Sequence, residues 1–331
     1  MIENSHLSTL ESWQPRKISV VVPVFNEKTN LEAFFDLFSK NAAPFHLYEW
    51  EWIFVDDGST DDSFEKILEL RKRDSRVKLL RLSRNFGSHS ALTAGLAYAT
   101  GNAAILLPVD MQGPSRMIKD FIGEWQKGAQ VVWGIPRSRK DSWAKRLLTK
   151  LFYQICHKVA LPNYPQEGMD GCLLDRQVID SLLTIKESDS FLFATILWMG
   201  FRQVFVPYDG AARTNVISKI SFSKFMKKAL DVIVSFSYFP IRFMMNLGII
   251  LSGISFLVAF KILAEVSLGI QHPGSPFLMT AILFLSGVQL MMMGILGEYI
   301  WRGTDQLKGR PRFIVMEKAG FEPAKILKGS R

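Results

Sequence analysis

Two stretches near the C-terminus limit what this chain can fold into more than any other feature. Phe243 to Val266 is almost continuously apolar, diluted only by Asn246, Lys261, Glu265 and a few Gly and Ser residues. Phe277 to Ile300 repeats the pattern, with Gln289 its one strongly polar residue before Glu298. At about 1.5 Å per residue, a helix over either stretch is long enough to cross a hydrocarbon layer of roughly 30 Å. Buried core helices are the alternative. Helices that are apolar on every side over this length are hard to hide in a domain of this size, so the expectation is a transmembrane hairpin at about 243–266 and 277–300. A mean hydropathy of +0.12 agrees with it. Lys224, Lys227, Lys228 and Arg242 precede the first stretch, and Arg302, Lys308, Arg310 and Arg312 follow the second. The linking loop Ser267–Pro276 has no Lys or Arg. By the positive-inside rule, the N-terminal domain and the C-terminal tail are then cytoplasmic.

The remainder has the pattern of a cytoplasmic α/β domain. Met1 to Lys17 lacks an apolar signal-like core. Cys156 and Cys172 are the only cysteines and have no metal-ligand spacing, so neither a disulfide framework nor a zinc site is expected. From Ile18 to about Val132, short β-branched runs alternate with segments of helical apolar spacing, which predicts βαβ units around a mostly parallel sheet. The expected strands are Ile18–Pro23, Trp52–Asp56, Val77–Leu82, Ala103–Val109 and Gln130–Trp133. The expected helices are Asn30–Asn41, Ser63–Asp74, Ser90–Ala99 and Pro114–Lys127, with Thr60 or Asp61 as N-cap of the second. Three strands end in polar residues: Val22-Pro23-Val24-Phe25-Asn26-Glu27, Val55-Asp56-Asp57-Gly58-Ser59 and Val109-Asp110-Met111-Gln112. Open α/β sheets bind ligands at the carboxyl edge of their strands, so these residues predict one acidic pocket there.

Between Ser138 and Ala160, basic residues including Arg139, Lys145 and Arg146 interleave with Trp143, Leu147, Leu148, Leu151 and Phe152 at helical spacing. That describes an amphipathic basic helix at about 142–160, either interfacial or an ordinary surface helix. Lys219 to Phe239 reads as a second interfacial helix. The chain thus divides into an N-terminal tail (1–17), a cytoplasmic domain (18–220), the second interfacial helix (221–241), two spans (within 242–300) and a C-terminal tail (301–331). The formal charge of +9 lies beside the apolar stretches rather than in a separate aromatic-rich module, which argues against nucleic acid as partner. No Gly-x-Gly-x-x-Gly follows a strand, which argues against a dinucleotide-binding oxidoreductase.

The three strand ends, the loop Arg84-Asn85-Phe86-Gly87-Ser88-His89 and the C-terminal hairpin together resemble the family-two glycosyltransferases of the polyprenyl-phosphate branch, over about Ile18 to Phe313. The resemblance implies a GT-A type, Rossmann-like fold. It also implies inverting transfer of one sugar from a nucleotide-sugar, with a UDP-sugar the expected donor, to a polyprenyl phosphate at the cytoplasmic face of a bacterial inner membrane. It assigns the donor to Pro23, Val24, Glu27, Asp56, Asp57 and Gln112, and the reacting centre to Asp110 and Asp170. A divalent cation, Mg²⁺ or Mn²⁺, falls to Asp110 and Gln112, because a departing diphosphate needs neutralising. The acceptor phosphate falls to Arg137, Arg139, Lys145 and Arg146, and to Arg213, Ser218 and Lys219. These cations are also suited to simple contact with anionic lipid. The family's Asp-x-Asp-x-Gln stretch departs here, with Pro108 in place of the first Asp. Three outcomes are compatible with that departure: a metal held by fewer protein ligands, a basic side chain in its place, or a non-catalytic membrane scaffold of the same fold. A homo-oligomer is left open.

Overall fold

The computed structural model describes residues 16–111, 116–137, 169–185, 192–208, 239–268 and 276–321. Two compact units make up the chain: one comprises 1–149, 164–218 and 311–331, the other 150–163 and 219–310.

The first unit is an α/β sheet with flanking helices. Its elements are β1 (Arg16–Val24), α1 (Leu31–Ala42), β2 (Tyr48–Asp56), α2 (Ser63–Arg73), β3 (Val77–Leu82), α3 (Ser88–Tyr98), β4 (Ala103–Leu106), α4 (Arg116–Gln126) and β5 (Val131–Pro136). They continue with β6 (Gly171–Asp175), α5 (Arg176–Thr184), α6 (Leu192–Trp198) and β7 (Gln203–Tyr208). A last strand, β8 (Val315–Ala319), comes from the other end of the chain. The sheet order is β7-β5-β6-β4-β1-β2-β3-β8. β1 pairs parallel with β2 and β4, β2 with β3, and β5 with β7. β6 is antiparallel to β4 and β5, and β8 to β3, so the sheet is mixed and mostly parallel.

The central strands carry apolar side chains on both faces, as a sheet covered on both sides requires. In β1, Ile18, Val20, Val21 and Val22 are all fully buried. Helix α1 packs its aromatic stripe onto β2, with Phe35 edge-on to Trp52 at 5.6 Å and Phe34 edge-on to Phe54 at 6.3 Å.

Several boundaries differ from expectation. β4 ends at Leu106 rather than Val109. Leu107 N–H still reaches Val21 O at 3.1 Å, but Pro108 has no N–H to donate, and Met111 N–H turns back to Pro108 O at 3.0 Å. The N-cap position of α2 is Asp62, with no side-chain capping bond. Asp61 instead accepts the backbone N–H groups of Ser63 and Lys28. The expected tail 301–331 contains β8, which covers the open edge of β3. Charged Glu317 and Lys318 on this new edge discourage further strand pairing.

The second unit consists, among the described residues, of two long helices, α7 (Phe239–Ser267) and α8 (Pro276–Leu307). Only one contains a stretch of membrane-spanning length and hydropathy, Phe284–Trp301 in α8, and none of that stretch is buried within the protein. This corrects the expectation of two equivalent spans. The apolar part of α7 is the shorter Asn246–Val258, because Lys261 and Glu265, 3.7 Å apart one turn on, bring charge into its second half. The basic helix expected at about 142–160 and most of the second interfacial helix (221–241) lie outside the described residues.

Candidate active site

The register of the sheet brings the polar strand ends to one edge. Val24 on β1 stands opposite Asp56 on β2, and Val21 opposite Leu106 on β4. Leu106 in turn pairs with Cys172 on antiparallel β6, which places Asp170, two residues before Cys172, at the level of Pro108. Pro136 on β5 pairs with Tyr208 on β7. The carboxyl ends of β1, β2, β4, β5 and β7 and the start of β6 therefore lie on the same rim.

The first two loops are stapled together. Asn26 holds a left-handed backbone, φ 56°, which Asn tolerates better than most residues. Its N–H donates to Ser59 Oγ at 3.0 Å, and its Oδ1 accepts Thr60 N–H at 2.8 Å. Glu27 N–H donates to Ser63 Oγ at 2.9 Å, and Asn30 Nδ2 donates to Glu27 Oε2 at 2.6 Å. Burial raises the Glu27 pKa above the usual carboxyl value, and the neighbouring Asp110 and Asp61 charges add to this against the Asn30 hydrogen bond.

Asp56 and Asp57 are both buried and both used internally. Asp56 Oδ1 accepts Ser59 N–H at 2.9 Å, and its Oδ2 lies 3.4 Å from Arg81 Nε, whose guanidinium covers the Phe64 ring. Asp57 accepts the N–H groups of Phe86 and Gly87, one on each oxygen, both at 2.8 Å. Burial raises its pKa, opposed by those two N–H groups and reinforced by Asp56. Asp57 is thus the anchor of the Arg84–His89 loop. Gly58, at φ +70°, is required where the two loops cross, because a Cβ there would lie 2.7 Å from Arg84 C.

Of the residues predicted from sequence, Pro23, Val24, Glu27, Asp56, Asp57, Asp110, Asp170 and Arg137 fall on this rim. The Val24 side chain is in the core, and its carbonyl accepts Asp57 N–H at 2.8 Å. Asp110 sits on the turn after β4, half-buried. Asp170 accepts the Tyr208 hydroxyl at 2.7 Å and donates its N–H to Gly134 O at 3.3 Å. Gln112, Arg139, Lys145, Arg146, Arg213, Ser218 and Lys219 lie outside the described residues. Asn26 and Ser59 belong to the polar strand ends noted in the sequence but have no role assigned there, and Ser63 and Tyr208 are not singled out. The first three carried a signal, since small polar residues after strand ends form loop-to-loop bonds. Tyr208, closing a short strand, carried none.

Among the described residues, no three metal-ligating side chains converge. Asp110 lies near enough to Glu27 for its charge to add to the rise in the Glu27 pKa, so two carboxylates stand near one another on the rim. A groove lined by Lys17, Tyr48, Trp50, Arg76 and Lys78 lies at the opposite edge of the sheet, away from these residues.

Comparison with known proteins identifies the class. The sequence matches the family model "Glycosyl transferase family 2" over residues 19–183. The bactoprenol glucosyl transferase of Shigella phage SfII is 37% identical over 309 residues, covering 93% of this chain and 100% of its own. An uncharacterized glycosyltransferase of Synechocystis is 36% identical over 308 residues, covering 92% and 96%. The putative glycosyltransferase CsbB of Bacillus subtilis is 35% identical over 304 residues, covering 91% of each. This chain belongs to glycosyltransferase family 2. Among solved structures, the Pyrobaculum calidifontis mannosyltransferase in complex with GDP-Man and Mn²⁺ is similar over 88% of each chain, at 17% identity and a TM-score of 0.48. Those ligands are that protein's own.

Proposed function

We propose that this glycosyltransferase moves a single sugar from a nucleotide-sugar, a UDP-sugar by preference, onto a polyprenyl phosphate at the cytoplasmic face of a bacterial inner membrane. The observation that carries this reading is the convergence of Glu27, Asp57, Asp110 and Asp170 on one rim, in a chain of which 93% is matched by a bactoprenol glucosyl transferase. The stapled loops of Asn26 and Asp57 form a rigid wall for the nucleotide, and the Asp110 turn faces the departing diphosphate. A divalent cation, when bound to Asp110, Gln112 and the donor's phosphates, would supply the charge that stabilises the leaving group.

The acceptor is a phosphate monoester with a second pKa of about 6, already a competent nucleophile near neutrality. It needs orientation rather than a strong base, and Arg137 with the cations following it in sequence is suited to that. A phosphate oxygen forms the new bond to the anomeric carbon as the bond to the nucleotide diphosphate breaks, so the configuration inverts. Asp170 orients a hydroxyl elsewhere on the transferred sugar.

β8 constrains the topology of the proposed membrane attachment. The chain leaves the sheet at Tyr208 and rejoins it at Val315, pairing with β3. Both ends of the intervening segment are therefore on one side of any membrane, so the number of crossings is even. With Phe284–Trp301 crossing, one further crossing must lie between Tyr208 and that stretch. Cysteines placed in 269–275 should react with a membrane-impermeant maleimide from outside spheroplasts. Labelling only after lysis would overturn this topology.

The function is tested by incubating the purified protein with radiolabelled UDP-sugars, undecaprenyl phosphate and Mg²⁺ or Mn²⁺. Label should pass to the organic phase with at least one donor, and Asp110→Asn should lose at least ~100-fold of it. No organic-phase label with any donor would favour the scaffold reading, for which Pro108 is the specific observation.

A further inference from the structure

β7 ends on Tyr208, whose ring is buried and whose hydroxyl donates to Asp170 Oδ2 at 2.7 Å. The carbonyl of the same residue accepts the Arg137 N–H at 2.9 Å. One residue therefore holds the carboxylate that precedes β6 through its side chain, and the first cation after β5 through its backbone. The Asp170 main chain is fixed independently, by its N–H on Gly134 O. The next residue, Gly171, packs so closely on β4 that a Cβ would lie 2.6 Å from Leu106 O. The backbone is pinned on two sides, and the Tyr208 hydroxyl opposes rotation of the carboxylate. A phenol suits the task because it donates a short, charge-assisted hydrogen bond and brings no competing charge.

We propose that Tyr208 is a positioning residue for the transfer reaction, holding the Asp170 carboxylate in the orientation that serves the reacting sugar. This rests on the reading of Asp170 given above. Tyr208→Phe keeps the buried ring and removes only the donor. In the full-length protein it should lower kcat roughly 10- to 100-fold, the loss of one hydrogen bond to a charged group, while donor KM and the thermal midpoint stay near wild type. A hydrogen bond that only stabilises the fold would instead lower the midpoint without a selective loss of kcat, a role confined to ring packing would change neither, and an unchanged kcat would overturn the proposal.

A second measurement needs no Tyr208 variant. The infrared ring C–O stretch of labelled tyrosine should shift for one of the seven tyrosines on going from wild type to Asp170→Asn. An identical spectrum would overturn the proposal even if Tyr208→Phe failed to fold. If Asp170→Asn retains full turnover, the underlying reading of Asp170 fails. If Asp170→Asn is inactive and Tyr208→Phe turns over like wild type, the positioning role alone fails.

Discussion

Replacing Glu51 by Gln should destabilise the catalytic unit by an amount that the geometry around it sets. Glu51 is buried in β2, at the edge of the sheet opposite the site. Its Oε1 accepts Ser19 Oγ at 2.5 Å and Thr100 N–H at 2.7 Å. Its Oε2 accepts Lys78 Nζ at 2.6 Å and lies 3.3 Å from Lys17 Nζ. One carboxylate thus ties together β1, β2, β3 and the turn before β4. Burial alone would raise its pKa, but the hydrogen bonds from Lys78, Ser19 and Thr100 prevail and hold it at about 2 against an ordinary 4.5. At about 1.4 kcal/mol per pH unit, that difference favours the folded chain by about 3 kcal/mol at neutral pH. Because the folded pKa is depressed, this contribution is complete above about 4.5 and is lost as the pH falls from there towards 2.

Gln conserves the shape but leaves the two ammonium groups without a counter-charge, so the loss at pH 7 should be most of that amount. A domain of this size should then melt roughly 6–12 °C lower. Thermal unfolding of the detergent-solubilised full-length pair, wild type and Glu51→Gln, measures it at pH 7 and at steps down to pH 3. The two midpoints should converge as the pH falls. Equal midpoints at pH 7, or a gap that stays constant down to pH 3, would refute the argument that the ionised carboxylate carries the stability.

Three further outcomes follow from the site and the sheet edge. Asp57→Ala removes the acceptor of the Phe86 N–H and one of the two acceptors of the Gly87 N–H, so the Arg84–His89 loop should loosen and donor KM should rise by about tenfold or more, measured by steady-state kinetics. Gly58→Ala combines a left-handed φ of +70° with a Cβ 2.7 Å from Arg84 C. It should cost at least about 1–2 kcal/mol in denaturant unfolding and impair donor binding with it. A stop codon after Ile314 removes β8 and leaves β3 as a bare edge, so the truncated protein should aggregate faster on warming, read by light scattering at constant concentration.

What the sequence determined by itself was the strongly periodic part. The runs from Ile18 to Trp133 announced β1 to β5 and the helices between them to within a few residues, because strands buried on both faces must be nearly all apolar. The acidic ends Asp56, Asp57 and Asp110 could be assigned to one rim because parallel strands share a carboxyl edge. The tertiary structure decided what local pattern does not encode. β6 and β8 are five residues long and exist through their neighbours, β8 across more than two hundred residues of chain. That long-range pairing turned a supposed tail into an edge strand of the sheet. It was also packing that turned Asp57 into a loop anchor and brought Tyr208 onto Asp170, since a hydrogen bond between side chains 38 residues apart leaves no periodicity to read.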